Sequence, residues 1–557
     1  MRSVIAFLFL IGHSAWAQSA PFTACSEAKA WFPCELQFEL TDEEARQHPE
    51  PWRSVEVRAE VKSPRFRTFL AEAFWTGGRQ FKIRFTPSEA GSWEFKLTGN
   101  LKRLDQQAGS VTAAASTVPG FIQRANVHHW RSLGDMKPHL WLGTEVWDWS
   151  NQGAESLAAL KAKKITHART YFAPHWPPHP AKFAAFESAL AAWNAENIVV
   201  DIVLAGPNNE FTAALKDWAA RERYLRYAIA RLAPYNVTWE LVREWETYRD
   251  PRTLLKDMAA ILQKYDAYAH PRSAYPQSST SAFVKDGWMT HLLIHASLPP
   301  AIAVEHQLYG LPVVAVGRGK LLEAVFSGSY AGAAADEVVA GILEKTRYWE
   351  LEPYFDVSNG RALALEGTEY MVLVDKPGIV EVEVEKHGYD VAWINSANGE
   401  RIPQKEWKGE HFIAETPTKA AGWILHLSRE GRKEGMLGSY KFESRPILAQ
   451  EVEVDAKRIP FTIDVKDNAD LKAGAAIPFE IKIVRDTRAT RFMQYHVSVD
   501  VPTEPQGLRI VSTEAKGSFV IPASVATKFP AVLNLRVTGM NANGKVYALD
   551  RVVRLTQ

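Results

Sequence analysis

The chain has 557 residues, 46% hydrophobic and 23% charged, with a formal net charge of +1. That length exceeds what one hydrophobic core holds and points to about three or four domains. The globular composition excludes long disorder, and the balanced charge excludes a global field that would draw the chain to nucleic acid or an anionic membrane.

The first stretch reads as an export signal. Arg2 precedes an apolar run over 4–12, and Ala15-Trp-Ala17 offers small residues for cleavage. Residues 1–17 are therefore expected to be a signal peptide, with the mature chain secreted or periplasmic. The apolar run is too short to span a bilayer and is not repeated, so no membrane span is expected. Cys25 and Cys34 are the two cysteines. In an oxidising compartment a pair this close can form a small disulfide loop; the alternative is two buried thiols. No His or Cys cluster has the spacing of a zinc site, so neither a metal nor another cofactor is expected.

Residues 18–118 alternate apolar and polar side chains over 35–40 and 54–61, and again on both sides of Gly77-Gly78 and around Trp93. This is the pattern of a β-sandwich. Its words Phe74-Trp75, Phe81-Lys-Ile-Arg-Phe85-Thr-Pro87 and Gly91-Ser-Trp93 resemble the small β-sandwich module, of DUF5060 type, that precedes some bacterial glycoside hydrolases. Small polar residues over 112–119 read as a linker.

From 119 to 355 the period changes. Short apolar strands are expected at 140–142, 166–171, 198–204, 237–242, 273–275, 292–295 and 313–316, with a weaker one at 329–332. Helical runs lie between them, at 181–197, 211–232 and 252–268, which is the rhythm of βα units. A (β/α)8 TIM barrel fits best. An open doubly wound sheet would need a Gly-rich phosphate loop after its first strand, and Gly143-Thr-Glu-Val-Trp147 is not one. Residues 356–430 and 440–557 return to strand patterns, separated by a charged and Gly-containing linker at 429–438. The expected fold is therefore multidomain: an N-terminal β-sandwich, a central (β/α)8 barrel, and two C-terminal β-sandwiches. The last of these carries no motif with evident chemistry.

Within the barrel, residues 235–246 form a strand that ends on carboxylates. A carboxylate at the carboxyl end of a barrel strand is where such enzymes keep their chemistry, which singles out Glu244. The plainer alternative is that Glu244 and Glu246 favour the start of the next helix.

Three segments, Pro138-His-Leu-Trp-Leu-Gly-Thr-Glu-Val-Trp147, Asn236-Val-Thr-Trp-Glu-Leu-Val-Arg-Glu244 and Leu311-Pro-Val-Val-Ala-Val316, resemble apiosidase-like glycosidases of DUF4038 type. The β unit over 370–427 resembles the small sandwich that follows their barrels, so the likeness covers roughly two thirds of the chain. It implies a retaining glycoside hydrolase with an acid/base Glu after strand four and a nucleophilic carboxylate after strand seven, about 5 Å apart. Glu244 falls on the first position. Gly317 stands where the nucleophile would be, Arg243 where an Asn precedes the acid/base, and Thr144 or Glu145 where the first loop carries an Asp. Losing one carboxylate of such a pair costs on the order of several kcal/mol of transition-state stabilisation.

Glu145, after the first strand, is the leading replacement carboxylate, with Asp201 in the third strand and Glu246 and Asp250 after the fourth as the other candidates. Trp147 and Trp176 are candidate platforms for sugar rings, with core packing an equal alternative. Arg169 matches an Arg that related barrels use to orient the acid. His175, Asn208, Arg243, Glu246 and His295 complete the expected substrate-binding set, although a structural role is the plainer reading of each His. The chain is thus expected to be a secreted glycoside-hydrolase-like protein acting on or binding polysaccharide or oligosaccharide through Glu244 and Glu145. The alternative is a non-catalytic carbohydrate-binding, envelope or adhesion protein on the same scaffold.

Overall fold

The computed structural model describes residues 21–151, 154–429, 452–465, 469–470, 476–485, 494–500, 509–512, 515–520, 532–541 and 545–556. The expected signal peptide at 1–17 and all but the first residue of the expected linker at 429–438 lie outside them.

The N-terminal part is a curled eight-stranded sheet. In Cys34–Glu39 the side chains of Cys34, Leu36 and Phe38 are buried while Gln37 and Glu39 face water, and Val57–Lys62 buries Val57, Ala59 and Val61 in the same way. These alternating faces enclose a core that includes Ile83, Phe85, Trp93 and Leu97. Gly77 and Gly78 take φ values of +116° and +54°, a turn that side chains resist, and so join Thr68–Gly77 to Gln80–Phe85. Cys25 and Cys34 are disulfide-bonded, with Cα atoms 5.6 Å apart. Arg84 docks this unit onto the next one: its guanidinium reaches Glu35 at 2.6 Å and Glu187 at 3.0 Å, and Glu187 in turn pairs with Arg231. Glu187 and Arg231 lie on the helices Pro180–Ala195 and Trp218–Leu232.

Eight short parallel strands follow in chain order: Gly143–Glu145, His167–Tyr171, Val199–Val203, Val237–Arg243, Arg272–Tyr275, Leu292–His295, Val313–Val316 and Tyr330–Ala331. The first five form one hydrogen-bonded sheet and the last three another. A parallel bridge between Leu142 and Ala331 joins the first strand region to the last. Most of these strands are buried on both faces, which is why they are rich in apolar residues, with Asp201, Thr238 and Glu240 as buried polar exceptions.

Two expectations need correction here. The first strand runs over Gly143–Glu145, later than 140–142; Leu140, Trp141 and Leu142 are core side chains that lead into it, with Leu142 already bridged to Ala331. The ladder forms where the backbones can close up, and a Cβ on Gly143 would lie 2.5 Å from the Gly332 carbonyl oxygen. The helix expected over 211–232 is two, Glu210–Ala214 and Trp218–Leu232, because the Asp217 carboxylate accepts the Ala220 N–H at 2.8 Å and caps a new start.

The sheet that follows begins at Glu352–Tyr354, which pairs antiparallel with Gly360–Leu365. Ile379–Asn395 is one long strand with a register shift between Glu383 and His387, where a bulge takes up the extra residues. In the last part, Met540 and Val546 pack against Ala303 and Val304 of the helix Pro299–Leu308. Among the described residues no helix is long and apolar enough to cross a membrane.

Candidate active site

A cavity of about 650 Å³ opens over the carboxyl ends of the parallel strands. Glu145 closes the first strand, Arg243 and Glu244 the fourth, Tyr275 the fifth and His295 the sixth, while Gly317 follows the seventh; all six line the cavity. A second cavity, of about 330 Å³ and lined in part by Trp31, Phe121 and Tyr235, has Asp135 as its one acidic wall residue and offers no carboxylate pair.

Glu244 leaves its strand in the left-handed region, at φ 51° and ψ 56°. A non-glycine residue there is costly and is held by its surroundings. Its N–H donates to the Tyr275 carbonyl at 2.6 Å, and its own carbonyl accepts the Thr247 N–H at 2.9 Å and hydroxyl at 2.8 Å. The carboxylate accepts from the Gln277 amide at 3.1 Å and pairs with Arg243 at 3.2 Å. The Arg243 guanidinium also lies 4.4 Å from the centre of the Trp147 ring and so occupies one face of that indole.

Glu145 reaches across the mouth. Its Oε1 accepts the Tyr275 hydroxyl at 2.8 Å and the Gly317 N–H at 3.3 Å. Burial, and then Glu145 itself, push the Tyr275 phenol well above its usual range, so it stays a proton donor at neutral pH. Tyr275 thus holds both carboxyl residues, Glu145 through its hydroxyl and Glu244 through its backbone.

Gly317 has φ +72°, and a Cβ there would lie 2.4 Å from His295 Nε2. The imidazole occupies the space that a side chain at 317 would need. Burial holds His295 below the usual histidine range, with Glu145 opposing, so it is neutral near pH 7. Its Nδ1 lies 2.7 Å from the Ser297 hydroxyl.

Below the cavity runs a buried polar chain. Arg169, fully buried, pairs with Glu240 at 2.7 Å and approaches Asp201 at 3.6 Å. Asp201 also meets His167 Nδ1 at 2.8 Å and accepts the Thr238 hydroxyl at 2.8 Å. Burial pushes the Glu240 carboxyl up to about 7 against the pull of Arg169. Burial acts on Asp201 in the same sense, but His167, Arg169 and the hydrogen bonds hold it below the usual carboxylate range.

The comparisons with known proteins bear on this arrangement. Residues 27–100 match a family described as a domain of unknown function, DUF5060. A protein of Bacteroides vulgatus ATCC 8482 described as a "putative glycoside hydrolase" superposes with a TM-score of 0.62 at 16% identity, over 73% of this chain and 100% of that one. In fold the chain is glycoside-hydrolase-like, and its N-terminal part carries the DUF5060 match. At this identity the likeness is one of fold alone. A glycoside hydrolase family 5 structure from the same organism matches at 10% identity and TM-score 0.47, over 54% of this chain and 91% of that one. No curated protein matches the sequence.

On this glycoside-hydrolase-like scaffold, Glu145, Trp147, Arg243, Glu244 and His295 line the cavity, whereas the other expected substrate contacts do not. Arg169 is sealed beneath the floor, where its guanidinium lies 5.6 Å from the centre of the Tyr275 ring; it supports Tyr275 and Glu240 and has no face toward a ligand. Glu246 accepts the N–H of Gln277 at 2.9 Å and both the N–H and the hydroxyl of Ser278 at 3.0 Å, and so fastens the loop that carries Gln277. His175 lies on the surface with its Nε2 3.1 Å from that of His179, because the Pro-rich loop after the second strand runs outward into the helix Pro180–Ala195. Trp176 packs edge-on against Tyr227. Asn208 takes φ +59° and donates its N–H to the Thr247 hydroxyl at 2.7 Å, which makes it a turn residue. Sequence reasoning missed Tyr275, Gln277 and Glu240. Only Glu240 left a signal, as a charge in the middle of a strand otherwise read as buried.

Proposed function

We propose that the chain is an exported glycoside hydrolase that cleaves a polysaccharide or oligosaccharide in the cavity at the mouth of a (β/α)8 barrel. In this reading residues 119–355 form the barrel, 18–118 the preceding sandwich, and 356–430 and 440–557 two further sandwiches. Glu244 is the acid/base and Glu145 the carboxylate that faces the developing positive charge on the sugar. One observation carries the proposal: Glu145 Oε1 stands 3.3 Å from the N–H of Gly317. A carboxylate sent over from the first strand thereby sits beside the seventh-strand position that has lost its own.

The roles follow from the contacts. Glu145 accepts two hydrogen bonds and forms no ion pair among the described residues, an environment suited to a carboxylate that meets a positive centre. Glu244 lies between Gln277 and Arg243 and is a quarter exposed, so it can exchange a proton with the leaving oxygen and later with water. Trp147 offers an aromatic wall for a sugar ring.

Release of reducing sugar from a panel of plant and microbial glycans tests the proposal, with wild type compared against Glu244→Gln and Glu145→Gln. Activity that falls in both variants supports it. The second reading, a binding protein without turnover, rests on the Arg243–Glu244 pair and on His295 filling the nucleophile's place. Wild-type glycan binding without hydrolysis would favour that reading.

A further inference from the structure

Away from the mouth, four side chains from three distant segments of the chain converge. His128 and His129 lie in the connection between Ile122–Arg124 and Trp130–Ser132, His306 in the last turn of Pro299–Leu308, and Glu352 at the start of Glu352–Tyr354. The helix Pro299–Leu308 leads from the carboxyl end of the sixth parallel strand to the amino end of the seventh, so the cluster sits at the end of the scaffold opposite the cavity. His128 Nδ1 lies 3.0 Å and His306 Nε2 3.2 Å from Glu352 Oε2, and His129 Nε2 lies 3.4 Å from Oε1. The donor atoms of His128, His306 and Glu352 fall within 4.8 Å of one another.

We propose that His128, His129, His306 and Glu352 form a closed, structural site for a divalent metal ion of the zinc class. Zinc bound by imidazole and carboxylate at about 2.0–2.1 Å in a tetrahedron spaces neighbouring donors about 3.3–3.4 Å apart, close to the 3.0, 3.2 and 3.4 Å between the three imidazoles and Glu352. The three imidazoles are nearly sealed, at 6%, 6% and 2% exposure, while the Glu352 side chain at 34% leaves the ion a way in.

Proton placement points the same way. His128 Nε2 lies 3.1 Å from the Tyr309 carbonyl oxygen, which can only accept, so Nε2 carries the hydrogen. The other nitrogen of the neutral ring then presents a lone pair to the Glu352 carboxylate at 3.0 Å. Two lone pairs at that distance repel unless a metal ion or a proton stands between them, so the contact calls for a cation at this point. An outer partner on the far nitrogen is also what a metal-bound imidazole has, and His129 has one too, with Nδ1 2.7 Å from the Tyr330 hydroxyl. The donors come from three separate elements, which is why no metal spacing is legible in the sequence.

The test is the metal content of the full chain, purified without a polyhistidine tag, together with the visible spectrum after Co²⁺ substitution. The proposal expects about one zinc ion per chain, the intense bands of tetrahedral Co²⁺, and a melting temperature lowered by chelator and restored by zinc. His175 and His179 form an exposed pair that can also take metal, so the variants assign the site. His175→Ala/His179→Ala keeps the ion and the tetrahedral bands; His306→Ala loses both. Should His306→Ala fail to fold, Glu352→Gln and the wild-type cobalt spectrum decide. A wild type that binds no zinc and whose melting is unmoved by it, or metal lost only with His175 and His179, overturns the proposal and leaves a protonated His128 paired with Glu352.

Discussion

His295 Nε2 and Gly317 share one space: a Cβ on Gly317 would fall 2.4 Å from that nitrogen. The seventh strand ends in a conformation, φ +72°, that side chains resist, and a neighbour already fills the room beyond it. A carboxylate oxygen of Glu145, from the first strand, lies 3.3 Å from the Gly317 nitrogen. The backbone at 317, the imidazole at 295 and the reach of Glu145 are thus fitted to one another.

Restoring a carboxylate at 317 alone should fail. Gly317→Glu must bear the backbone strain, about 1–3 kcal/mol, together with the collision with His295. Its melting temperature is expected to drop by several degrees, and Gly317→Glu/His295→Ala should recover part of that loss. A single variant as stable as wild type would contradict the shared-space account.

Tyr275→Phe removes the hydroxyl that holds Glu145 and leaves the aromatic ring beside Arg169. A hydrogen bond to a charged group is worth about 1.5–3 kcal/mol, so kcat/KM should fall about 10- to 100-fold. The melting temperature should change little by comparison. Unchanged kinetics would mean that Glu145 needs no such anchor.

Glu246 gives a pH-dependent signature. Burial pushes its carboxyl up to about 7, against the hydrogen bonds from Gln277 and Ser278. A carboxyl raised in the folded state contributes stability in full below its unfolded value near 4.5, and loses it as the pH climbs to about 7. The stability of wild type minus that of Glu246→Gln should therefore decline between those limits and be flat outside them. Denaturant unfolding at a series of pH values measures it. A difference that rises over this range would contradict the assignment.

The Cys25–Cys34 disulfide closes a short loop, with a sequence separation of 9. Loop-closure entropy for so small a ring amounts to about 2–3 kcal/mol. Cys25→Ser/Cys34→Ser should lose about that much stability in denaturant while hydrolysis at the distant mouth is kept. An equal loss of hydrolysis under folding conditions would couple the N-terminal sheet to the site in a way the contacts do not suggest.

The parallel strands were legible because strands buried on both faces are rich in apolar, β-branched residues, as in Val313–Val316 and in Val199–Val203, where Asp201 is the one polar residue. Glu244 was legible for a related reason, as the first carboxylate after such a run. Arg169 lies outside the cavity lining, and alternation along a strand does not separate a side chain that reaches the cavity from one that stops beneath its floor. Trp176, after the second strand, and Asn208, after the third, also lie outside it, because a loop's direction depends on its tertiary course. Tyr275, Gln277 and the cluster around Glu352 left no local signal, since each acquires its role from residues far along the chain.

Hydrolysis by Glu145→Gln, measured on the glycan that wild type cleaves fastest and alongside binding of that glycan, tests the central claim most directly. The account predicts a rate lower by about 10³-fold with binding retained. A variant that cleaves as fast as wild type, or a wild type that binds glycans and cleaves none, would contradict it.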